Sequence, residues 1–182
     1  MNIIEDKYSV WQKRFSLSGF ENKSDELAFV QVPTDQTVAF ITTVRDIDGY
    51  KHLVFFTAVD LLEDGVFRLT YMLHNYETKH DLGIQTDISR DGVAMESIHH
   101  LWPHGATYQR ELKEMFGIDF PGSPGVDESF ALEGWFDMLP MRRDFDTKEY
   151  SEATYFPRPG RKTFDTQEYM KEKLYPSEAE TW

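Results

Sequence analysis

The chain has no cysteine among its 182 residues, which excludes disulfides, thiolate-held zinc, cysteine-ligated iron–sulfur clusters and a cysteine nucleophile together. Any redox chemistry it takes part in is borrowed from a partner. Long apolar runs are missing too. Nothing approaches the ~20 residues of a membrane span, and the opening "MNIIEDKYSVWQKRF" has no signal-peptide core. These absences predict a soluble, cytoplasmic chain. Basic residues are scarce, 19 against 32 acidic ones, for a formal charge of −13. A nucleic acid would be bound against the field of the whole protein. The G-x-S-x-G, P-loop and G-x-G-x-x-G patterns of hydrolases and nucleotide binders are also absent.

What is present is a large apolar complement. Hydrophobic types make up 40% and aromatics 15% of the chain, enough for one core with a loosely attached tail. Tyr8, Trp11 and Phe15 recur at helical spacing and predict a short helix over Ile4 to Phe15. "ELAFVQVP" reads as a strand ended by Pro33. "TDQTVAFITTVRD" reads as a helix capped by Thr34 or Asp35, its β-branched content leaving a strand open. "HLVFFTAVDLL" is apolar on both faces, the pattern of a central, doubly covered strand. "VFRLTYML" then alternates, with Phe67, Leu69, Tyr71 and Leu73 on one face, and Leu82, Ile84 and Ile88 repeat the period. An antiparallel meander follows, within an α+β layer.

After "SRDG" comes a short turn, "IHHLW", with Ser97 as its cap and Pro103 as its stop. Tyr108, Leu112, Met115 and Phe116 form the apolar stripe of a further helix, with Arg110, Lys113 and Glu114 pointing away and Glu111 at the margin. Gly117 is its left-handed C-cap. Beyond Phe120 lie most of the prolines and a polar stretch carrying Trp135, Phe136, Phe145, Tyr150, Tyr155, Phe156 and Phe164. So many aromatics are foreign to disordered chain. The expected organisation is a domain over 1–120 and an extended arm over 121–182 that lies on this domain or on a neighbour.

Candidate chemistry is thin. His99, His100 and His104 form the densest histidine group, yet Pro103 interrupts any helix carrying the last two and no H-E-x-x-H pattern exists. A metal needs three or four converging ligands, so hydrogen-bonded histidines are the reading. A free-standing enzyme using this cluster is the outlying alternative. Glu63–Asp64 and Asp127–Glu128 read as turn and surface acids rather than an acid–base pair. In "LPMRRDF", two arginines and an aspartate sit among apolar residues. Arg110, Arg142 and Arg143 either clamp the arm internally or meet another subunit, where the planar guanidinium is favoured.

"SIHHLWPHGATYQRELKEMFGIDFPGSP" and the later "LPMRRDF" resemble the signature region of the 30 kDa-type, or C-type, subunit family of respiratory complex I (NADH:quinone oxidoreductase). The same domain is shared with energy-converting membrane-bound nickel–iron hydrogenases. The matching positions are Leu101, Trp102, Pro103, Arg110, Glu111, Phe116, Gly117, Ile118, Phe120, Gly122, Pro124, Pro140, Arg142 and Asp144. Departures are Thr107, Tyr108, Gln109, Glu114, Ser123 and Arg143. Several of these change charge or size at the expected subunit contact, Gln109 replacing a glutamate and Ser123 a histidine.

The resemblance implies a chain without its own cofactor, in the peripheral arm of a complex I-type assembly on the cytoplasmic side of a membrane. Its partners would be a D-like protein, related to the hydrogenase large subunit, and neighbouring iron–sulfur and B-like proteins. Those partners would carry the iron–sulfur clusters and the flavin or nickel–iron centre. The alternative assembly is an energy-converting hydrogenase or formate hydrogenlyase. The implied interface comprises Trp102, Pro103, Arg110, Glu111, Phe116, Gly117, Phe120, Pro140, Arg142, Arg143, Asp144 and Phe145, with Arg110 and Glu111 setting register.

Overall fold

A computed structural model describes residues 3–92, 94–132 and 138–155. In chain order the elements are α1 (Ile3–Trp11), β1 (Gly19–Asn22), β2 (Leu27–Gln31), α2 (Thr37–Asp46), β3 (His52–Leu61), β4 (Val66–Asn75), β5 (His80–Ser89), α3 (Gly105–Phe116) and α4 (Thr147–Tyr155). The five strands make one sheet in the order β1-β2-β5-β4-β3. All neighbours are antiparallel except β2 and β5. The α+β class and the β3–β4–β5 meander follow the sequence pattern. The short β1 and the parallel β2–β5 pair were not legible in it.

Alternation decides the layering. Phe67, Leu69, Tyr71, Leu73, Leu82 and Ile84 are fully buried on one face. They join Ile4 and Trp11 of α1, Phe40, Ile41 and Val44 of α2, and Leu112 and Phe116 of α3 in a single core. Trp11 meets Phe40 edge to face at 5.4 Å, and Phe67 meets Phe116 at 5.7 Å. The intervening residues Phe29, Gln31, Arg68, Met72 and His74 are only half-buried on the opposite face. There Arg68 forms a two-pronged pair with Asp87, both bonds 2.7 Å, and Gln31 adds a third bond to the same carboxylate. Gly83 lies beneath the Phe29 ring, so closely that a methyl group in its place would overlap the aromatic carbons.

Two expectations are corrected. "HLVFFTAVDLL" forms β3, which is an edge strand rather than a central one. Its core side is buried at Leu53, Phe56, Ala58 and Asp60, while Val54, Phe55 and Val59 are exposed apolar residues. Apolar residues on both faces thus arose without cover on both faces. A register shift between Leu53 and Phe55 adds to the mixed signal, because a bulge turns side chains out of alternation. Second, neither Thr34 nor Asp35 caps α2. A 3₁₀ turn over Thr34–Gln36 precedes the helix, whose N-cap is Gln36 without a side-chain bond. The Thr34 hydroxyl donates instead to the Asp87 carbonyl at 3.1 Å.

The first compact unit extends to Phe145, beyond the expected boundary at 120, and a second begins at Asp146. Within the second, the Asp146 carboxylate accepts the backbone N–H groups of Lys148 and Glu149 at 2.9 Å each, which starts α4. Helix there was not expected. Trp135, Phe136, Phe156 and Phe164 of the expected arm lie outside the described residues.

Core burial also makes the fold sensitive to alkali. Burial and the nearby Asp48 and Asp81 push the Tyr50 phenol up to about 12. Burial and Glu96 raise Tyr71 further. The folded state therefore holds these protons more tightly than the unfolded chain, whose tyrosines titrate near 10. The stabilisation is complete below about pH 10 and is lost as pH rises through the folded values. Thermal melts should show the midpoint falling as pH passes about 10, with a shallower fall in Tyr50→Phe.

Candidate functional site

The segment from Ser97 to Phe120 folds along the free edge of β3, and its polar side chains satisfy that edge. Trp102 Nε1 donates to the Lys51 carbonyl at 2.8 Å, and Tyr108 Oη donates to that of Val54 at 3.3 Å. His104 Nε2 lies 3.3 Å from the Leu53 carbonyl, which selects the Nε2–H tautomer. Unpaired strand edges invite pairing with other chains, so covering one with side chains is protective. His99 Nδ1 bonds Ser97 Oγ at 2.7 Å. His99 and His104 are thus directed to separate partners. Among the described residues no three His, Asp or Glu side chains are placed to hold a metal ion.

Helix α3 is set by a buried polar centre that periodicity misplaced. Its deepest positions are Gly105, Gln109, Leu112 and Phe116, whereas Tyr108 and Met115 are only half-buried. Gln109 is fully buried, and its Oε1 accepts the hydroxyls of Ser97 at 2.8 Å and Ser123 at 2.6 Å. Gln109 and Ser123, two departures from the family pattern, therefore face each other inside the domain rather than at a subunit contact. A neutral amide and a hydroxyl here form a bond that needs no buried charge. Reading polar as outward concealed Gln109.

The charged face of α3 engages the chain's own following loop. Glu114 accepts the backbone N–H groups of Phe130, Ala131 and Leu132 at 2.8, 2.8 and 3.2 Å. Burial pushes its carboxyl up, but these three donors and Arg110 carry it below the ordinary range. Lys113 pairs with Asp119 at 2.8 Å and also with Asp127. Arg110 Nη2 donates to the Ser129 carbonyl at 2.6 Å. The expected outward arginine is turned onto its own domain. Glu111 differs: its side chain has no hydrogen bond or ion pair among the described residues.

At the C-terminal end of α3, Gly117 adopts the left-handed conformation (φ 76°) and its N–H bonds the Lys113 carbonyl, as its spacing predicts. A Cβ there would stand 2.8 Å from Leu139 Cδ1. Arg142 Nε then donates to the Phe116 carbonyl at 2.7 Å, satisfying one of the last groups of the helix. Asp60 is the second anchor. Its buried carboxylate accepts the Arg143 N–H at 2.9 Å and Arg90 Nη2 at 3.1 Å. Arg90 also reaches Asp144 at 2.9 Å, and Arg143 pairs with Glu63. These contacts tie "LPMRRDF" to its own domain. Trp102, Phe116 and Phe120 are buried, Pro103 and Asp144 exposed, and Gly117, Pro140 and Phe145 half-buried.

Between α3 and β3 runs an open groove of about 460 Å³, walled by Phe55, Phe56, Tyr108, Glu111, Met115 and Met141 among others. Phe55 is 37% and Met141 57% exposed. Along it, one unpaired carboxylate stands in an apolar surface.

The family described as respiratory-chain NADH dehydrogenase, 30 Kd subunit, matches residues 30–151. The C subunit of the NADH-quinone oxidoreductase of Moorella thermoacetica is 29% identical over 114 residues, 63% of this chain and 76% of that protein. The C/D subunit of the NADH-quinone oxidoreductase of Pseudomonas fluorescens is 32% identical over 82 residues, 45% of this chain but only 14% of that much longer protein. A chain in the structure of the membrane-bound sulfane sulfur reductase, an archaeal respiratory membrane complex, shares the fold. Its TM-score is 0.79 at 23% identity, over 90% of this chain and 96% of that one.

Two measurements probe the anchors. Gln109→Ala removes the acceptor of two serine hydroxyls and should lower the free energy of urea unfolding by about 2 kcal/mol or more. Hydrogen bonding from Arg90 holds Asp144 below the ordinary carboxylate range, and Arg143 does the same to Glu63. Their contribution is complete above that range and is lost as pH falls through the lowered values. Hydrogen-exchange protection factors of the 141–145 amides should therefore drop between about pH 5 and 3. In Asp144→Asn they should start lower and change less.

Proposed function

We propose, for a chain that belongs to the respiratory-chain NADH dehydrogenase 30 Kd subunit family, that it is a cofactor-free peripheral subunit of a complex I-type oxidoreductase. It docks on a D-like partner and supports assembly and electron transfer carried by other chains. The observation that carries this reading is the occurrence of relatives named as C/D subunits. A stretch like this chain occupies 14% of one such protein and 24% of another. Joining two modules in one polypeptide keeps them at high effective concentration, as suits parts that work in contact.

Composition supports the cofactor assignment. With no cysteine, the chain offers no thiolate for a cluster, so cysteine-held iron–sulfur centres belong to neighbouring subunits. No helix of the described residues is long and apolar enough to cross a membrane, and the chain reaches the cytoplasmic face through its complex. A second reading keeps the same docking but places the chain in an energy-converting hydrogenase-type assembly. The same fold occurs in a chain of the sulfane sulfur reductase complex, an assembly other than an NADH-quinone oxidoreductase.

Affinity purification of the tagged full chain from its own host, after mild detergent solubilisation, tests this. A D-like protein should be recovered in roughly equal amount with iron-bearing subunits. Recovery of the chain alone would overturn the proposal. Nickel in the purified assembly, in place of flavin, would select the second reading.

A further inference from the structure

The groove between α3 and β3 follows the part of the sheet edge that side chains leave open. Trp102, His104 and Tyr108 reach the carbonyls of residues 51, 53 and 54 and no further. From Phe55 to Val59 no strand pairs with the outer side of β3 among the described residues. Backbone groups on an open edge are a template for another strand. Here the template is flanked by exposed Phe55, Val59 and Met141.

Glu111 says what chemistry belongs there. The other acidic and basic side chains of α3, Arg110, Lys113 and Glu114, are all matched within the domain. Glu111 alone faces the groove, with no partner among the described residues. Covering it with apolar groups only would strand a carboxylate away from water, which costs far more than the contact returns. A guanidinium or ammonium placed opposite removes that cost. A second copy of this chain is a poor occupant, since it brings the same carboxylate and another net charge of −13.

We propose that the groove receives an extended segment of the D-like partner, added as a strand along Phe55–Val59, with an arginine or lysine set among apolar residues to meet Glu111. This rests on the docking role proposed above and names the chemistry of the contact.

The full chain is purified alone and as the assembly recovered with its tag, for wild type, Glu111→Gln, Glu111→Lys and Met141→Glu. Amides of residues 55–59 should exchange freely in the chain alone and become protected in the assembly. Recovery of the D-like protein should fall roughly tenfold or more with Glu111→Lys and Met141→Glu, and less with Glu111→Gln. Melting of each variant chain alone should match wild type, because neither side chain is buried.

If wild type recovers no partner, the docking role itself fails. If the partner is recovered equally with all variants, or residues 55–59 stay unprotected in the assembly, the docking role stands and this groove is not its site. Protection of 55–59 in the monomeric chain alone would show a segment of the same chain in the groove. Protection that grows with concentration, alongside dimer formation in sedimentation, would show a second copy. Either result overturns the proposal.

Discussion

An open sheet edge at β3 is the constraint around which the rest of this domain is arranged. The sheet buries one face under three helices, but its order leaves the ten-residue strand β3 at the border. Carbonyls there need donors, and the chain supplies them from the Leu-Trp-Pro turn and α3: an indole, an imidazole and a phenol. That requirement explains residues whose chemistry invites a catalytic interpretation. His104 and Tyr108 serve as edge covers, and Trp102 is held by its own bond beneath the Arg45 guanidinium, which lies 5.5 Å from its ring.

Holding α3 against that edge takes anchors at both ends of the helix. Gln109 ties the preceding turn and the following loop to the helix through two serine hydroxyls. Arg142 closes its C-terminus, and Asp60 gathers Arg90 and the backbone of Arg143. Arg90 Nε stands 2.9 Å from Asp60 Oδ1 but off the hydrogen-bond direction. The pair therefore acts through charge and through Nη2. Buried pairs of this kind add little net stability over apolar packing, while breaking one strands its partner. Their effect is to specify where the 138–145 segment lies, which in turn shapes the groove through Met141.

The family match and the internal geometry bear on different residues of the same motif. Most matched polar positions, Arg110, Arg142 and Asp144 among them, are engaged within the domain. The shared motif is thus largely the internal framework of this domain. Glu111 differs in lining the apolar groove beside α3 with no side-chain partner among the described residues.

Alternation and helical spacing determined the α+β class, the β3–β4–β5 meander, α3 and the Gly117 cap, while for α2 the β-branched residues left helix and strand both open. These depend on local periodicity and backbone sterics, which neighbouring residues encode. The absence of cysteine likewise excluded thiolate chemistry without any coordinates. Only the tertiary structure decided which strand is the edge, because an apolar run looks the same whether a helix or solvent lies over it. It alone placed the Ser129 carbonyl against Arg110 and the Phe116 carbonyl against Arg142, and left Glu111 without a side-chain partner among the described residues, since spacing gives a residue's side of a helix but not what stands opposite. Gln109 was illegible for the same reason: its acceptor is satisfied by serines 12 and 14 residues away, and only the folded chain brings those hydroxyls to it.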